Sequence, residues 1–356
     1  MELVTRNAEE ILTMEELREL LETKARPRAY WGFELSGKMH LGMGLVCSSK
    51  IRDLVEAGFD FTVFLADWHS WINNKMGGDM SKIREVGEYF KHCFTALGLD
   101  PGRVEYVWAS DIVRDVEYWE RVIKIGKSMS LQRIWRALPI MGREMTLTDV
   151  ESAWIYYPPM QATDIFQLRL DAACGGIDQR KAHIVAREAA EKLGWTKPVC
   201  VHTHLVAGLQ GPSGRAGNQF DEDPEVNVQI SSKMSKSMPG NCIFIHDSPE
   251  EISEKIRAAF CPPKEVRANP ILEIAKYMIF PEINILHIPR SSKHGGPKDY
   301  GNYLDLESEY AKGLIHPLDL KNGVSEALIR ILEKVREYFK RNPKSLEKMR
   351  ELDITR

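Results

Sequence analysis

Phe61-Thr62-Val63-Phe64-Leu65-Ala66 is an almost unbroken apolar run of strand-forming residues, set just after Gly58. A strand with one wet face alternates apolar and polar side chains. A run without that alternation predicts a strand covered on both faces, as in a parallel sheet. Matching pieces lie on either side. Upstream, Ala29-Tyr30-Trp31-Gly32-Phe33 is short and aromatic, with Ser36-Gly37 close behind, which reads as strand then loop. Residues 42–57 between them have a helical pattern that ends at Gly58, a natural helix stop. Downstream, Ile83, Val86, Phe90 and Phe94 keep a helical stripe, and Val104–Trp108 and Val199–Leu205 are further strand candidates. Thr13 and Glu16 have the capping-box spacing ahead of a helix over 13–23. Strands separated by helices predict a right-handed, doubly wound parallel α/β sheet.

The texture changes after residue 205. Residues 208–242 are rich in Gly, Pro, Ser, Asn and Gln and read as one long mobile loop. Ser248-Pro249-Glu250-Glu251 then opens a helix with a cap, a first-turn proline and acidic residues where the helix dipole favours them. From 263 onward the pattern is mainly helical, over 270–279, 304–311 and 322–341, with loops dominating 281–302. A chain of 356 residues has room for about two domains. The expected division is an α/β domain over 1–262 and a smaller helical domain over 263–356.

Lys plus Arg total 48 against 51 Asp plus Glu, which excludes a strongly basic nucleic-acid coat protein and an acidic disordered chain. It leaves room for a local basic face. Between Arg121 and Arg143 there are basic residues (Lys124, Lys127, Arg133 and Arg136 among them) and no acidic one, interleaved with Ile134, Trp135 and Leu138. Such a segment suits a phosphate backbone or a partner subunit, or simply a solvated helix face. The six cysteines form no C-x-x-C pair, so free thiols in a reducing compartment are expected. The start, MELVTRNAEEILTMEELREL, is too charged for a signal peptide, and no apolar run approaches the roughly 18 residues a membrane helix requires. A cytoplasmic protein without membrane contact is expected. His202-Thr203-His204 is joined by no cysteine or carboxylate cluster in the sequence, so no metal site is expected.

Two segments have the character of phosphate-handling chemistry. Gly32-Phe33-Glu34-Leu35-Ser36-Gly37-Lys38-Met39-His40-Leu41-Gly42 lies between the first strand and the next helix. Glycines there let backbone approach a ligand, and a helix N-terminus offers free N–H groups to phosphate. His40 could donate to a phosphoryl oxygen, and at Gly42 a side chain would obstruct a stacked base. Lys233-Met234-Ser235-Lys236-Ser237 sits in the glycine-rich loop, where two lysines and two hydroxyls suit a clamp on a polyphosphate that must later leave. Taken alone, the first could be a turn with a surface histidine and the second a solvated basic loop.

Together and in this order, His40–Met43 resembles the HIGH signature and Lys233–Ser237 the KMSKS signature of class I aminoacyl-tRNA synthetases. Tyr30, Gly32-Phe33-Glu34, Ala66-Asp67-Trp68-His69, Tyr157-Pro158-Pro159-Met160-Gln161, Asp164, Gly175–Lys181 and His316–Lys321 are similar to the archaeal and eukaryotic tyrosyl branch of that family, over most of residues 8–340. The resemblance implies a Rossmann-like catalytic domain, with a connective, dimer-forming insertion at about 112–155 and the signature loop at about 208–242. It also implies a helical anticodon-binding domain.

Further implications concern single residues. Tyr30 and Asp164 would hold the phenol of L-tyrosine, Tyr157, Gln161 and Gln179 its ammonium, and Glu34 would join them. ATP, with Mg2+ and no tightly bound cofactor, would meet Gly32, His40, Gly42, Lys233, Ser235 and Lys236, of which His40, Lys233 and Lys236 would be catalytic. Arg136, Arg180 and Lys181 would read the first base pair of tRNA(Tyr), and His316 and Asp319 an anticodon base. Two departures stand out: Met43 replaces the second histidine of HIGH, and Lys236 stands where archaeal relatives often have serine. The implied activity is tyrosine–tRNA ligation by a homodimer. The alternatives are a tryptophanyl-tRNA synthetase and a non-catalytic, synthetase-like RNA-binding protein.

Overall fold

The computed structural model describes residues 1–142, 150–212, 221–236, 240–292 and 295–354. Six strands form its central sheet: β1 (Ala8–Leu12), β2 (Arg28–Phe33), β3 (Asp60–Leu65), β4 (Val104–Trp108), β5 (Ala172–Gly176) and β6 (Val199–Thr203). Their order across the sheet is β1-β6-β5-β2-β3-β4, all parallel except β1, which runs antiparallel to β6. Five of the six residues of β3 are buried, as its continuous apolar run requires. The chain winds outward from β2 through β3 to β4, then returns to place β5 on the other side of β2. The switch between β2 and β5 opens a crevice beyond their C-terminal ends, where open α/β sheets bind ligands.

Local signals explain most elements. Thr13 and Glu16 form the capping box of the helix Met14–Thr23, and Ser248 and Glu251 that of Pro249–Ala258. The stripe at Ile83, Val86, Phe90 and Phe94 lies on the helix Met80–Ala96 and is buried against Trp31, Phe33 and Leu35 among others. Beyond 263 come helices Pro270–Ile274, Tyr303–Lys312, Pro317–Ile331, Glu333–Arg341 and Pro343–Ile354. A hairpin of β7 (Leu286–Ile288) and β8 (Lys298–Tyr300) lies within the stretch read as loop. All six cysteines are unpaired and buried. No helix among the described residues is long and apolar enough to cross a membrane.

Three expectations need correction. The stretch 208–242 is not one loop: helix Pro224–Ser232 lies inside it, capped by Asp223, whose side chain accepts the Glu225 N–H. Residues 213–220 and 237–239, including Ser237, lie outside the described residues, as does Arg143. The helix expected over 322–341 starts earlier, at Pro317, and breaks at Leu332. Finally, the edge strand β1 and the small-residue strand β5 were not expected at all, although β5 forms one wall of the crevice.

Candidate active site

A cavity of about 740 Å3 occupies the switch-point crevice. Its inner end is built from side chains carried by the sheet and the helices beside it. Tyr30 projects from the middle of β2 and Asp164 from the helix Tyr157–Gln167, and each is almost wholly buried. Behind Asp164 stand two residues that the sequence reading did not assign. Tyr118 donates its hydroxyl to Asp164 Oδ1 at 2.9 Å, and His69 Nε2 lies 3.2 Å from Oδ2. Burial pushes the Asp164 carboxyl up, and His69 and Tyr118 oppose that shift. For His69, burial works against protonation, but Asp164 outweighs it and raises the imidazole above its ordinary range. The inner end therefore combines a supported carboxylate with the phenol of Tyr30, one an acceptor and the other able to donate.

Beside them lies a polar rim. Tyr157 donates to Glu34 Oε1 at 2.8 Å, Asn73 Nδ2 donates to the same oxygen at 2.6 Å, and Lys75 lies 3.3 Å from Glu34 Oε2. Gln161 Nε2 donates to Gln179 Oε1 at 3.1 Å, and Gln179 Nε2 to the Ile140 carbonyl at 3.2 Å. Tyr157, Gln161 and Asp164 share one helix face because their spacing is i, i+4 and i+7.

The outer end carries the two signature segments. His40 and Phe244 form an isolated antiparallel bridge, and Leu41 N–H donates to the Ile243 carbonyl at 2.9 Å. The turn that carries His40 is thus tied to the chain just beyond the second signature. Burial, with Lys236 and Lys233 nearby, pushes the His40 imidazole down to about 3, so it is neutral at physiological pH. Its Nδ1 is buried without a hydrogen-bond partner among the described residues. Lys233 Nζ contacts Asp178 Oδ2 at 2.6 Å, and Lys236 Nζ donates to the Lys38 carbonyl at 3.3 Å. Gly32, Gly42, Met43 and Ser235 complete this end.

The model of the family described as tRNA synthetases class I (W and Y) matches residues 22–333. The chain belongs to this class I synthetase family. It is 46% identical over 371 residues to the tyrosine–tRNA ligase of Thermococcus onnurineus, covering 100% of this chain and 98% of the relative. It is also 46% identical over 363 residues to that of Pyrococcus abyssi, covering 98% and 96%. Among solved structures it is similar to the tyrosyl-tRNA synthetase of Pyrococcus horikoshii complexed with L-tyrosine, with a TM-score of 0.90, 44% identity and 98% of each chain covered. The Archaeoglobus fulgidus tyrosyl-tRNA synthetase complexed with L-tyrosine follows at a TM-score of 0.84 and 41% identity, covering 95% and 98%. The family and fold expected from the signatures are borne out.

Within this class I chain, every residue expected to meet tyrosine or ATP lines the one cavity. The residues expected to meet tRNA do not. Arg180 and Lys181 start the helix that follows Gln179, and their charges are engaged. Arg180 Nε lies 2.8 Å from Glu10 Oε1, and Lys181 Nζ 4.0 Å from Asp221 Oδ2. Burial lowers the Lys181 ammonium, and the nearby charges of Arg133 and Arg136 add to that. Arg136 itself is exposed. His316 caps the helix Pro317–Ile331, accepting the Leu318 N–H at 3.2 Å, and Asp319 lies in its first turn, away from the cavity. The basic run from 121 is less bare than its sequence suggests: Glu117, Glu120 and Glu188 pair with Arg121, Lys124 and Arg133.

Proposed function

We infer that the chain is a tyrosine–tRNA ligase, which activates L-tyrosine with ATP and transfers it to the 3′ end of tRNA(Tyr). The observation that carries this reading is the pairing of Tyr30 with a supported Asp164 at the closed end of a cavity whose other end presents His40, Lys233 and Lys236. A phenol both donates and accepts, whereas an indole N–H only donates. Asp164 can accept the substrate's hydroxyl proton while Tyr30 donates to its oxygen, a match that tryptophan could use only in half. An aromatic ring without the hydroxyl would leave both groups unpaired, which is costly in a buried site.

Tyr157, Gln161 and Gln179 surround the ammonium with neutral oxygens, and Glu34, braced by Asn73 and Lys75, supplies negative charge at that side. The tyrosine carboxylate then attacks the α-phosphorus of ATP, and the bond to pyrophosphate breaks. No covalent enzyme intermediate is needed, so orientation and charge stabilisation provide the rate. His40, neutral, donates a hydrogen bond to the phosphoryl oxygen, while Lys233 and Lys236 offset the charge on the departing pyrophosphate. ATP enters as its Mg2+ complex, the metal travelling with the substrate. In the second step the terminal adenosine hydroxyl of the tRNA attacks the adenylate carbonyl and AMP leaves. Arg136, Arg180 and Lys181 contact the acceptor end, and His316 and Asp319 an anticodon base. A homodimer formed through the segment around Trp135, a cytoplasmic location and a division near residue 262 belong to the same proposal.

Pyrophosphate exchange into ATP, run with tyrosine, tryptophan and phenylalanine, tests the reading. Tyrosine-specific exchange is expected. Tryptophan-specific exchange would select the other specificity of the family, and no exchange with any of the three would leave an RNA-binding protein.

A further inference from the structure

The histidine pair at 202 and 204 remains outside the chemistry described so far, yet the structure gives the two residues separate and well-built surroundings. His202 is fully buried, with Nδ1 2.8 Å from Glu10 Oε2 and Nε2 2.9 Å from His183 Nδ1. His204 lies just past the end of β6, on the cavity wall, with 12% of its side chain exposed. Its Nδ1 is 3.3 Å from Glu9 Oε2 on β1, and its Nε2 is 3.2 Å from Glu273 Oε2 on the helix Pro270–Ile274. The ring stacks on Tyr277, with centroids 4.4 Å apart and planes at 11°. Lys276 sits over the Tyr277 ring, and the carboxylate of Glu307 also acts on that ring.

Both carboxylates that hold His204 also reach the backbone around it, Glu273 directly and Glu9 through Gln229. The second of them, Glu273, accepts the Ala207 N–H through Oε2 at 2.7 Å. Glu9 accepts from Gln229 Nε2 at 2.8 Å, and Gln229 Oε1 in turn accepts the Leu205 N–H at 3.3 Å. The segment so fixed is the one that pairs with Lys233. Ala207 and Lys233 form an antiparallel bridge, flanked by Met234 N–H to the Val206 carbonyl and Gly208 N–H to the Ser232 carbonyl, each at 2.8 Å. A neutral residue at 204 would leave Glu9 and Glu273 facing each other without a cation between them.

We propose that His204 is a positioning residue for Lys233: held as a cation between Glu9 and Glu273, it locks the 205–208 backbone on which the Lys233 segment is laid. The inference rests on the ligase reading. It assigns to the histidine a share of the ATP half of the reaction and none of tyrosine binding, because among the described residues no hydrogen bond or ion pair joins Asp164 to this cluster. Burial alone would discharge the imidazole, but Glu273 and Glu9 outweigh it and hold His204 up to about 9.

The test compares wild type with His204→Ala in tyrosine-dependent pyrophosphate exchange between pH 7 and 10. At pH 7.5 the variant should lose about tenfold in kcat/KM for ATP, a cost in line with slight misplacement of a catalytic group, with the KM for tyrosine unmoved. Since the charge is present below about 9 and lost above it, the ratio of wild-type to variant rates should fall as pH rises through that value. Taking a ratio cancels the titration of groups common to both proteins. A second variant, Glu9→Gln, keeps the shape on an edge strand and removes one carboxylate, so the fall in the ratio should move to lower pH. A ratio flat across the range, or a tyrosine KM that rises in step with that of ATP, overturns the proposal. Absence of exchange in wild type would overturn the ligase reading and this inference with it, whereas normal wild-type exchange with a flat ratio overturns this inference alone.

Discussion

The two ends of the cavity are built on opposite plans. At the inner end Tyr30, His69, Tyr157 and Asp164 are all nearly inaccessible, and Asp164 is braced from two helices by Tyr118 and His69. At the outer end Lys233 and Lys236 are half-buried, the ammonium of the first meeting the Asp178 carboxylate and that of the second the Lys38 carbonyl. The difference follows from the two ligands. A phenol is small and must be told from its dehydroxylated analogue, which demands polar groups fixed before it arrives. A polyphosphate brings its own charge and leaves as pyrophosphate, so its counter-charges must be able to follow it. Selectivity should therefore break at the inner end and rate at the outer end.

The largest expected effect is at the inner end. Asp164→Ala removes the acceptor, leaves the Tyr118 hydroxyl only its longer bond to the Met160 carbonyl and takes the carboxylate from His69, the costly case of a buried network broken on one side. Tyrosine KM should rise by about two to three orders of magnitude and the preference over phenylalanine should collapse, with ATP binding measured by calorimetry unchanged. A parallel loss of ATP affinity would show that the two ends are not separate. Next comes Lys236→Ala, for which the rate of adenylate formation should fall by roughly ten- to a hundredfold while tyrosine KM stays put. A rapid-quench rate equal to wild type would remove Lys236 from the pyrophosphate contact.

How much of this was legible in the sequence follows the same division. β3 showed itself because a strand buried on both faces must be apolar throughout, and the two signature segments showed themselves because flexible, phosphate-facing backbone needs glycines and lysines. Strand β1 gave no such signal. Its Glu9 and Glu10 look like surface residues of a charged N-terminus until β6 is laid beside them, when they become partners of His204 and His202. β5 is Ala-Ala-Cys-Gly-Gly, small enough to let helices pack close but without strand propensity. Helix Pro224–Ser232 did carry the cap signals Asp223-Pro224-Glu225, which the surrounding glycines and serines obscured. The supporting roles of Tyr118 and His69 were silent for a deeper reason. A lone tyrosine on one helix and a lone histidine on another acquire meaning only when the fold brings both to the same carboxylate.

The two ends should also respond oppositely to acid. His40 is held neutral in the folded state, so the unfolded chain takes up a proton near pH 6.5 that the folded chain refuses until about 3. Its destabilising contribution thus appears as pH falls below 6.5 and grows downward, by up to about 1.4 kcal/mol per unit. Relative to wild type, His40→Asn should gain stability on going from pH 7 to pH 5 in urea unfolding. His69 has the opposite sign: Asp164 raises it, so its stabilisation is complete below 6.5 and lost as pH rises through its folded value. His69→Asn should therefore lose most, relative to wild type, at the acid end. Curves that shift the same way for both variants would erase the contrast.

Gly42→Ala should have the smallest effect, and it separates two accounts of the outer end. Gly42 has no positive φ to preserve, and a β-carbon there would meet the His40 ring at 3.2 Å from Cε1 and 3.3 Å from Nδ1. Those distances ask the ring to give by a few tenths of an ångström, against a backbone pinned by the bridge to Phe244. Replacing a helical glycine with alanine tends to stabilise by about 0.4–1 kcal/mol, so the protein should melt no earlier than wild type. If the glycine serves to seat His40, adenylate formation should slow by roughly three- to tenfold with ATP KM unchanged, because a group needed at the transition state has been nudged aside. If it serves to admit the adenine, ATP KM should rise instead and the rate at saturation should survive. The built distances favour the first outcome, since it is the histidine that stands in the added methyl's way.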